Sequence, residues 1–299
     1  MIAFAADHYS IELPPGHVFP MAKYRLVREQ LCAEGTLDTV TDPGLIDRAD
    51  LCRAHAPEWV DAVLTGTVPA PMVARIGLPM TAAVVRRARA AAAGTLAAAR
   101  AALRHGAAAN LAGGTHHAGR ARGAGYCLFN DLATAAATLL AEGAVRRVAI
   151  VDLDVHQGDG TAEICGGWPA VFTFSMHGAR NFPRVKVPGT LDVDLPDQTG
   201  DTEFLAQLDQ HLPRVLDDFA PDLVLYQAGV DPLAGDRFGR LALTEAGLHA
   251  RDQRVVRGAR DRGIPIATVM GGGYGRDLAA TVRAHANTVR ALPATVRTP

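Results

Sequence analysis

Three polar residues in the segment DLDVH follow a run of aliphatic residues, and their spacing suits metal chemistry. In an extended strand successive side chains alternate faces, so Asp152, Asp154 and His156 point one way while Leu153 and Val155 point the other. Two buried like charges are costly without a partner, and a bound cation is the simplest compensation. Aspartate and histidine together favour a borderline metal such as zinc.

A third candidate ligand is Asp231, in the segment AGVDPLAGD that follows another apolar run. An aspartate before proline is also a common turn former, and for the isolated residue this alternative stays open. The presence of Asp154 and His156 favours the ligand interpretation. Three protein ligands would leave one coordination position open for water, as in catalytic zinc sites.

The adjacent histidines His116 and His117 follow a glycine turn, where histidines also occur without a catalytic role. Asp152 and Asp159 are not needed as ligands of a three-ligand site, and each could hold one histidine in a fixed tautomer. Tyr274 follows three glycines that let the backbone approach a ligand closely, although a core tyrosine is the alternative. These residues add acid–base and hydrogen-bonding groups to the predicted metal site.

Short β-branched and aliphatic runs alternate with segments of helical pattern, which predicts an α/β fold with a parallel sheet. The predicted strands lie near Ile2, around Asn110, and in the segments starting at Arg146, Ala170, Asp222 and Ile264. The predicted helices span residues 24–34, 81–104, 132–142, 203–219, 244–262 and 277–292. Ligands of such sheets bind beyond the carboxyl ends of the strands, where the polar residues described above occur. We expect one domain over residues 1–299, with residues 181–200 as a long loop beside the site.

Composition excludes several classes of function for this chain of 299 residues, of which 48% are apolar and 20% charged. Thirty basic residues nearly balance 31 acidic ones, so the broad basic surface of a nucleic-acid-binding protein is not expected. No apolar run reaches the roughly 18 residues needed to span a bilayer. The first ten residues do not resemble a secretory signal, which predicts a cytoplasmic protein. The four cysteines are scattered, which favours reduced structural residues.

The motifs of this chain together resemble those of the zinc-dependent histone deacetylases, in the arginase/deacetylase superfamily. The matching segments are THHAG, GYCLFND, DLDVHQGDG, FSMH, AGVDPLAGDRFG and GGGY, and the similarity begins near His17. Their order and spacing agree with the family over nearly the whole chain. Gln157 after His156 and the segment AGVDPLAGDRFGRLALTEAG are most similar to class IV deacetylases.

The resemblance implies an arginase/deacetylase fold, with a central parallel sheet flanked by helices and the active site at the carboxyl ends of the strands. It implies zinc ligands at Asp154, His156 and Asp231. The implied catalytic groups are His117 as general base and acid backed by Asp159, His116 backed by Asp152 as electrostatic partner, and Tyr274 as oxyanion donor.

Further positions follow from the same resemblance. A structural potassium ion is implied at Asp152, Asp154 and Ser175 and at the carbonyls of His156 and Met176. The implied walls of a substrate tunnel are Gly125, Tyr126, Phe182 and Phe238. Arg25 matches an arginine of an internal channel.

The resemblance implies a deacylase that removes acetyl or longer acyl groups from lysine side chains of proteins or peptides. An alternative is a deacylase of small molecules such as acetylpolyamines or an acylated natural product. A catalytically silent acyl-lysine reader is a third hypothesis, which the complete set of site residues disfavours. The ligand set tolerates both zinc and iron, and the sequence leaves acyl length, oligomeric state and physiological substrate open.

Overall fold

The centre of the molecule is one sheet of eight parallel strands, seen in a computed structural model that describes residues 1–292. The last seven residues of the predicted domain lie outside the described residues. The strands are β1 (Ile2–Phe4), β2 (Thr39–Thr41), β3 (Ala107–Asn110), β4 (Val148–Asp152), β5 (Val171–Gly178), β6 (Leu191–Leu195), β7 (Leu223–Gln227) and β8 (Ile266–Val269). Their order across the sheet is β2-β1-β3-β8-β7-β4-β5-β6. The predicted α/β fold is confirmed.

Helices pack against both faces of this sheet and separate two buried apolar clusters from solvent. They are α1 (Ala22–Ala33), α2 (Arg48–Ala54), α3 (Pro57–Thr65), α4 (Ala70–Ile76), α5 (Ala82–His105), α6 (Asp131–Ala141), α7 (Asp159–Cys165), α8 (Asp201–Pro213), α9 (Glu245–Asp261) and α10 (Leu278–Ala291). α8 continues into a π-helical stretch, Arg214–Asp218. Because both faces are covered, the central strands β4, β7 and β8 are buried at every residue, which explains their nearly continuous apolar runs.

The structure adds one strand at each edge of the sheet to the six that the apolar runs predict. β2 has three exposed residues, and β6 (LDVDL) mixes partly buried aliphatic residues with aspartates. Edge strands of this kind lack the apolar run that marks a strand buried on both faces. The prediction of a continuous loop over residues 181–200 is therefore wrong for Leu191–Leu195. The helices α2, α3, α4 and α7 also escape prediction, because seven to nine residues are too few to show a clear period.

The first residues of α6 hold the loop that follows β3. The Asn130 side chain caps this helix by accepting a hydrogen bond from the Ala133 N–H. The buried Asp131 carboxylate accepts hydrogen bonds from the backbone N–H groups of Gly114, at 2.9 Å, and Thr115, at 2.7 Å. These bonds fix the chain immediately before the two adjacent histidines of that loop.

A buried arginine on α9 supports the loops that follow β4 and β7. Arg251 is fully buried and its Nη1 donates to the carbonyl oxygens of Leu153, at 3.0 Å, and Gly229, at 2.6 Å. Its Nε donates to Asp252 Oδ1 at 2.9 Å, which also accepts the Tyr226 hydroxyl at 2.6 Å. The ion pair with Asp252 allows this charge to stay buried, and the second oxygen of Asp252 accepts the Thr288 hydroxyl at 2.6 Å.

We predict that Arg251→Met lowers the free energy of unfolding by about 3–5 kcal/mol, because it leaves the Asp252 charge buried and unpaired. The measurement is urea denaturation at neutral pH. Arg254→Met is the matched control on the same helix, since Arg254 pairs with Asp209 at the surface and its loss should cost at most about 1 kcal/mol. Equal losses in the two variants would contradict the supporting role of Arg251.

Candidate active site

A cleft of about 550 Å³ opens at the carboxyl edge of the sheet. Its walls come from the loops after β3, β4, β7 and β8, together with α4 and the segments before α1 and β6. The predicted site residues that line it are His116, His117, Gly125, Tyr126, Asp154, His156, Phe182, Asp231, Phe238 and Tyr274. Because all eight strands run in parallel, polar residues from distant parts of the sequence converge at this one edge.

Asp154, His156 and Asp231 form a buried cluster at the cleft. Each offers a ligand atom, and these atoms lie within 4.8 Å of one another. His156 Nδ1 is 3.1 Å from Asp154 Oδ1 and 3.2 Å from Asp231 Oδ2. β4 ends at Asp152, so the alternation that predicts one common face does not extend to His156. The two ligand candidates that follow β4 instead come from the turn after the strand.

Backbone groups hold the two carboxylates of this cluster. Asp154 Oδ2 accepts a hydrogen bond from Gly272 N–H at 2.8 Å, and Asp231 Oδ1 accepts one from Val155 N–H at 2.9 Å. A Cβ atom at Gly272 would collide with the carboxylates of both aspartates, so only glycine allows this approach. Asp231 Oδ2 is buried and has no hydrogen-bond partner among the described residues.

This environment fits a metal cation. Burial and the neighbouring Asp154 charge raise the pKa of Asp231 to about 7. A bound cation would offset both effects and would occupy the unpartnered oxygen. One imidazole and two carboxylates within coordinating distance of a common point form a donor set that zinc accepts.

The two adjacent histidines each contact a different buried carboxylate. Nδ1 of His116 lies 2.7 Å from Asp152 Oδ2, and Nδ1 of His117 lies 2.6 Å from Asp159 Oδ1. Burial lowers the pKa of His116, but the charges of Asp152 and Asp154 more than offset this and raise it to about 9. Burial and the charge of His116 lower the pKa of His117 to about 3, which leaves a neutral imidazole. With Nδ1 bonded to Asp159, Nε2 is the nitrogen left to act as a proton acceptor in the cleft.

Arg122 is a positioning residue that the sequence analysis missed. Its Nη2 lies 2.9 Å from Asp159 Oδ2, and its Nη1 donates to the His117 carbonyl oxygen at 3.1 Å. Burial raises the pKa of Asp159, but the hydrogen bond from His117 and the charge of Arg122 lower it by more. The pKa of Asp159 is therefore below its usual value. The Asp159 carboxylate therefore stays ionised beside His117. No motif in the sequence signals this contact.

Tyr274, in the loop after β8, also lines the cleft. Its N–H donates to Asp236 Oδ2 at 2.6 Å, and its ring contacts Phe238 with the centroids 5.0 Å apart. Burial, with the charge of Asp231, raises the pKa of Tyr274 well above its usual value, so the hydroxyl stays protonated. It can therefore donate a hydrogen bond to a developing negative charge.

The predicted tunnel residues lie on two sides of the cleft. The ring of Phe182 contacts His117 edge-on at 4.9 Å between centroids, and Tyr126 lies 5.9 Å from Tyr274. A Cβ atom at Gly125 would collide with the His117 ring. Phe182 and Phe238 remain partly exposed, at 43% and 39%, so the outer part of the cleft is aromatic and open to solvent.

The structure contradicts the internal position expected for Arg25. This side chain is 54% exposed and pairs with Glu29 on the outer face of α1. Lys23 faces inward instead, because residues two apart on a helix point in nearly opposite directions. Its fully buried Nζ donates to the carbonyl oxygen of Gly271 at 2.9 Å, within the loop that carries Tyr274. Lys23 is one of only two lysines in the chain, and this rarity was the sequence feature that could have marked it as a special position.

The residues expected around a potassium ion adjoin the cluster of Asp154, His156 and Asp231. Asp152 and Ser175 are paired in register on β4 and β5, and both line a small separate cavity. Ser175 Oγ lies 2.9 Å from His177 Nδ1. Met176 is fully buried in β5.

The four cysteines are free, and no helix within residues 1–292 is both long and apolar enough to cross a membrane.

Residues 17–291 match the histone deacetylase domain family. The chain belongs to the histone deacetylase family. An uncharacterised protein of Picosynechococcus sp. is 46% identical over 279 residues, covering 93% of both chains. Histone deacetylase 2 of Arabidopsis thaliana is 30% identical over 269 residues, covering 86% of this chain and 70% of the relative. The family resemblance deduced from the motifs is thereby confirmed.

The fold of this histone deacetylase family member is also found in a solved structure. The crystal structure of the HDA15 HD domain has a TM-score of 0.79 and 25% identity, and covers 96% of this chain and 87% of that one. The arginase/deacetylase fold is confirmed. Members of the family are deacetylases and generally depend on zinc, which agrees with the buried aspartate–histidine–aspartate cluster.

We predict that Asp154→Ala, His156→Ala and Asp231→Ala each abolish stoichiometric zinc binding, because each removes one of three clustered ligand atoms. The measurement is metal content after dialysis against zinc, with circular dichroism to verify the fold. Asp159→Asn is the matched control, since this buried carboxylate bonds His117 and lies outside the cluster. A cluster variant that still binds one equivalent of zinc would remove that residue from the ligand set.

Proposed function

We propose that this protein is a zinc-dependent amidohydrolase that removes acyl groups from the side-chain amine of lysine. The observation that carries this proposal is that the buried cluster of Asp154, His156 and Asp231 lines one aromatic cleft together with His117 and Tyr274. We further propose that residues 1–299 form a single catalytic domain. The decisive experiment tests whether the zinc-loaded protein hydrolyses acetyl-lysine peptides. The measurement is the amount of acetate released.

Zinc held by Asp154, His156 and Asp231 would act as a Lewis acid on the amide carbonyl and would lower the pKa of the attacking water. Iron is an alternative, since the same ligand set accepts it. Two anionic ligands reduce the effective charge at the metal, so a protein base is needed in addition. The remaining chemistry falls to side chains of the chain itself.

In this proposal His117 moves the proton of the attacking water. Asp159 bonds its Nδ1, which leaves Nε2 as acceptor, and the same nitrogen can return the proton to the departing lysine amine. His116, bonded to Asp152, adds positive charge beside the reacting carbonyl. The Tyr274 hydroxyl donates to the oxygen that becomes negative as water attacks.

We also propose a structural potassium ion next to the zinc ligands. The expected ligands are oxygen atoms of Asp152, Asp154 and Ser175 and the carbonyls of His156 and Met176. Oxygen donors suit a hard cation, and the pairing of Asp152 with Ser175 across adjacent strands brings two of them together. Such an ion would add charge compensation behind the catalytic cluster.

We predict that Tyr274→Phe lowers kcat by about 100-fold or more, the scale for loss of one oxyanion donor. KM and zinc content should change little, because the ring and its contact with Phe238 remain. Steady-state kinetics on an acetyl-lysine peptide provide the measurement. Tyr126→Phe is the matched control, since this second cleft tyrosine has no proposed role for its hydroxyl. A Tyr274→Phe variant altered only in KM would contradict the assignment.

The acyl group would lie against the aromatic and aliphatic residues of the cleft. Phe19, Tyr24 and Ile76 extend this apolar lining beyond Tyr126 and Phe238. The resemblance to class IV enzymes adds a proposal that long fatty acyl groups are preferred to acetyl. Each buried methylene would contribute roughly 0.8 kcal/mol, partly offset by ordering of the chain.

We therefore predict that decanoyl-lysine to myristoyl-lysine peptides have higher kcat/KM than the acetyl-lysine peptide of the same sequence. Acyl lengths should be compared on the zinc-loaded enzyme below the critical micelle concentration of each peptide. Phe19→Trp should reduce the preference by filling apolar space at a partly buried wall of the cleft, while leaving acetyl-lysine turnover less affected. A steady fall of kcat/KM from acetyl to myristoyl would refute the length preference and leave the deacylase proposal intact.

A further inference from the structure

Arginines surround the mouth of the cleft. Arg75, Arg180 and Arg240 all line it and are exposed, the last two at 74% and 51% of the side chain. Arg180 and Arg240 share the carboxylate of Asp197, at 3.3 and 3.2 Å. Arg75 belongs to the last turn of α4 and does not share this carboxylate. These four side chains together carry a net charge of about +2 at neutral pH.

The loop that carries Phe182 adds to this positive charge. Residues 180–188 contain Arg180, Arg184 and Lys186 and no acidic residue. Lys186 is half-buried and donates to the carbonyl oxygens of Asn181, at 2.7 Å, and Pro183, at 3.0 Å. Carbonyl oxygens therefore hold its charge at a fixed place beside the mouth, where Asp194, Asp159 and Asp192 offset part of it.

The acidic residues around the cleft do not cancel this charge. Among the described residues, the carboxylates that line the cleft are Asp154 and Asp231, which belong to the buried cluster. Asp236 is nearby and adds one negative charge, held in place by hydrogen bonds from the N–H groups of Phe238, Gly239 and Tyr274, so the arginines and Lys186 still outnumber the exposed carboxylates of the mouth. The whole chain has a net charge of −1, so the positive mouth is a local feature.

We infer that the enzyme selects acyl-lysine peptides whose flanking residues are acidic and disfavours polycations such as acylated polyamines. This inference rests on the proposed deacylase function and adds the charge of the substrate. The arginines are exposed, so each should contribute only about 2- to 5-fold, mainly through encounter and KM. The effect should weaken as salt shortens the Debye length.

The test compares acetyl-lysine peptides that differ only in their flanking residues, which are aspartate, glutamine or lysine. We expect kcat/KM to be about 10-fold higher for the aspartate peptide than for the lysine peptide at low salt, and the ratio to approach unity at about 0.5 M NaCl. Binding of fluorescent versions to the metal-free protein, measured by anisotropy, should show the same order of Kd. N-acetylspermidine should be a poorer substrate than the glutamine peptide.

Variants of the charged residues at the mouth test whether these residues cause the preference for acidic peptides. Arg75→Gln and Arg240→Gln should each reduce the aspartate-to-lysine ratio about 2- to 5-fold. Asp197→Asn should raise the ratio, because it frees two arginines from their shared carboxylate. Arg146→Gln is the matched control, since Arg146 is 89% exposed and precedes β4 at the opposite edge of the sheet.

The outcomes separate this inference from the function on which it rests. Cleavage of all peptides with equal efficiency, or a preference for the lysine peptide, overturns the inference alone. Cleavage of no peptide by the zinc-loaded enzyme overturns the deacylase proposal and the inference together. A ratio that changes equally in Arg146→Gln and Arg75→Gln would also contradict the role of the mouth.

Discussion

The burial of three carboxylates at one edge of the sheet is the constraint on which the rest of the structure depends. Asp152, Asp154 and Asp231 are each at most 3% exposed, and mutual repulsion would drive them apart or protonate them without compensation. The protein compensates Asp152 with His116 and gives the other two carboxylates backbone N–H donors. Oδ2 of Asp231 lies 3.2 Å from His156 Nδ1 but has no hydrogen-bond partner within residues 1–292, and a bound cation would supply one. The charge of the site therefore favours binding of a cation.

Buried cations behind the site are directed at carbonyl oxygens and not at Asp154 and Asp231, the carboxylates proposed to bind the metal. Arg251 donates to the carbonyls of Leu153 and Gly229, each close in sequence to a ligand aspartate, and Lys23 donates to the carbonyl of Gly271. If these cations paired directly with Asp154 or Asp231, they would compete with the metal for the same oxygens. Bonding the adjacent backbone fixes the loops and still lends positive charge to the region. The scaffold therefore orients the ligands without saturating them.

The central fold and the candidate site were predictable from sequence for the same physical reason. Strands buried on both faces need continuous apolar runs, and the polar residues that end those runs must meet at one edge of a parallel sheet. The edge strands β2 and β6 and the short helices α2 to α4 leave no comparable pattern. A second limit of sequence analysis is the direction of a side chain. Arg25 was chosen by residue type, but on α1 it points outward to Glu29 and Lys23 points inward to Gly271. Arg122 and Arg251 escaped prediction because the contacts that give them a supporting role, to Asp159 and to the Leu153 carbonyl, join distant parts of the chain.

Gln157 connects the metal-binding turn with the loop at the mouth of the cleft. Its Nε2 donates to the Val187 carbonyl at 2.8 Å and to Asp192 Oδ1 at 2.9 Å, and its Oε1 accepts from Val187 N–H at 2.9 Å. An amide can both donate and accept here, whereas a neutral imidazole on the same turn would offer one donor and one acceptor in a different geometry. Because Gln157 directly follows His156, the loop that carries Phe182 is tied by hydrogen bonds to the candidate metal-binding turn. The loop at the mouth of the cleft and the buried aspartate–histidine–aspartate cluster below it are therefore joined by one continuous hydrogen-bonded segment.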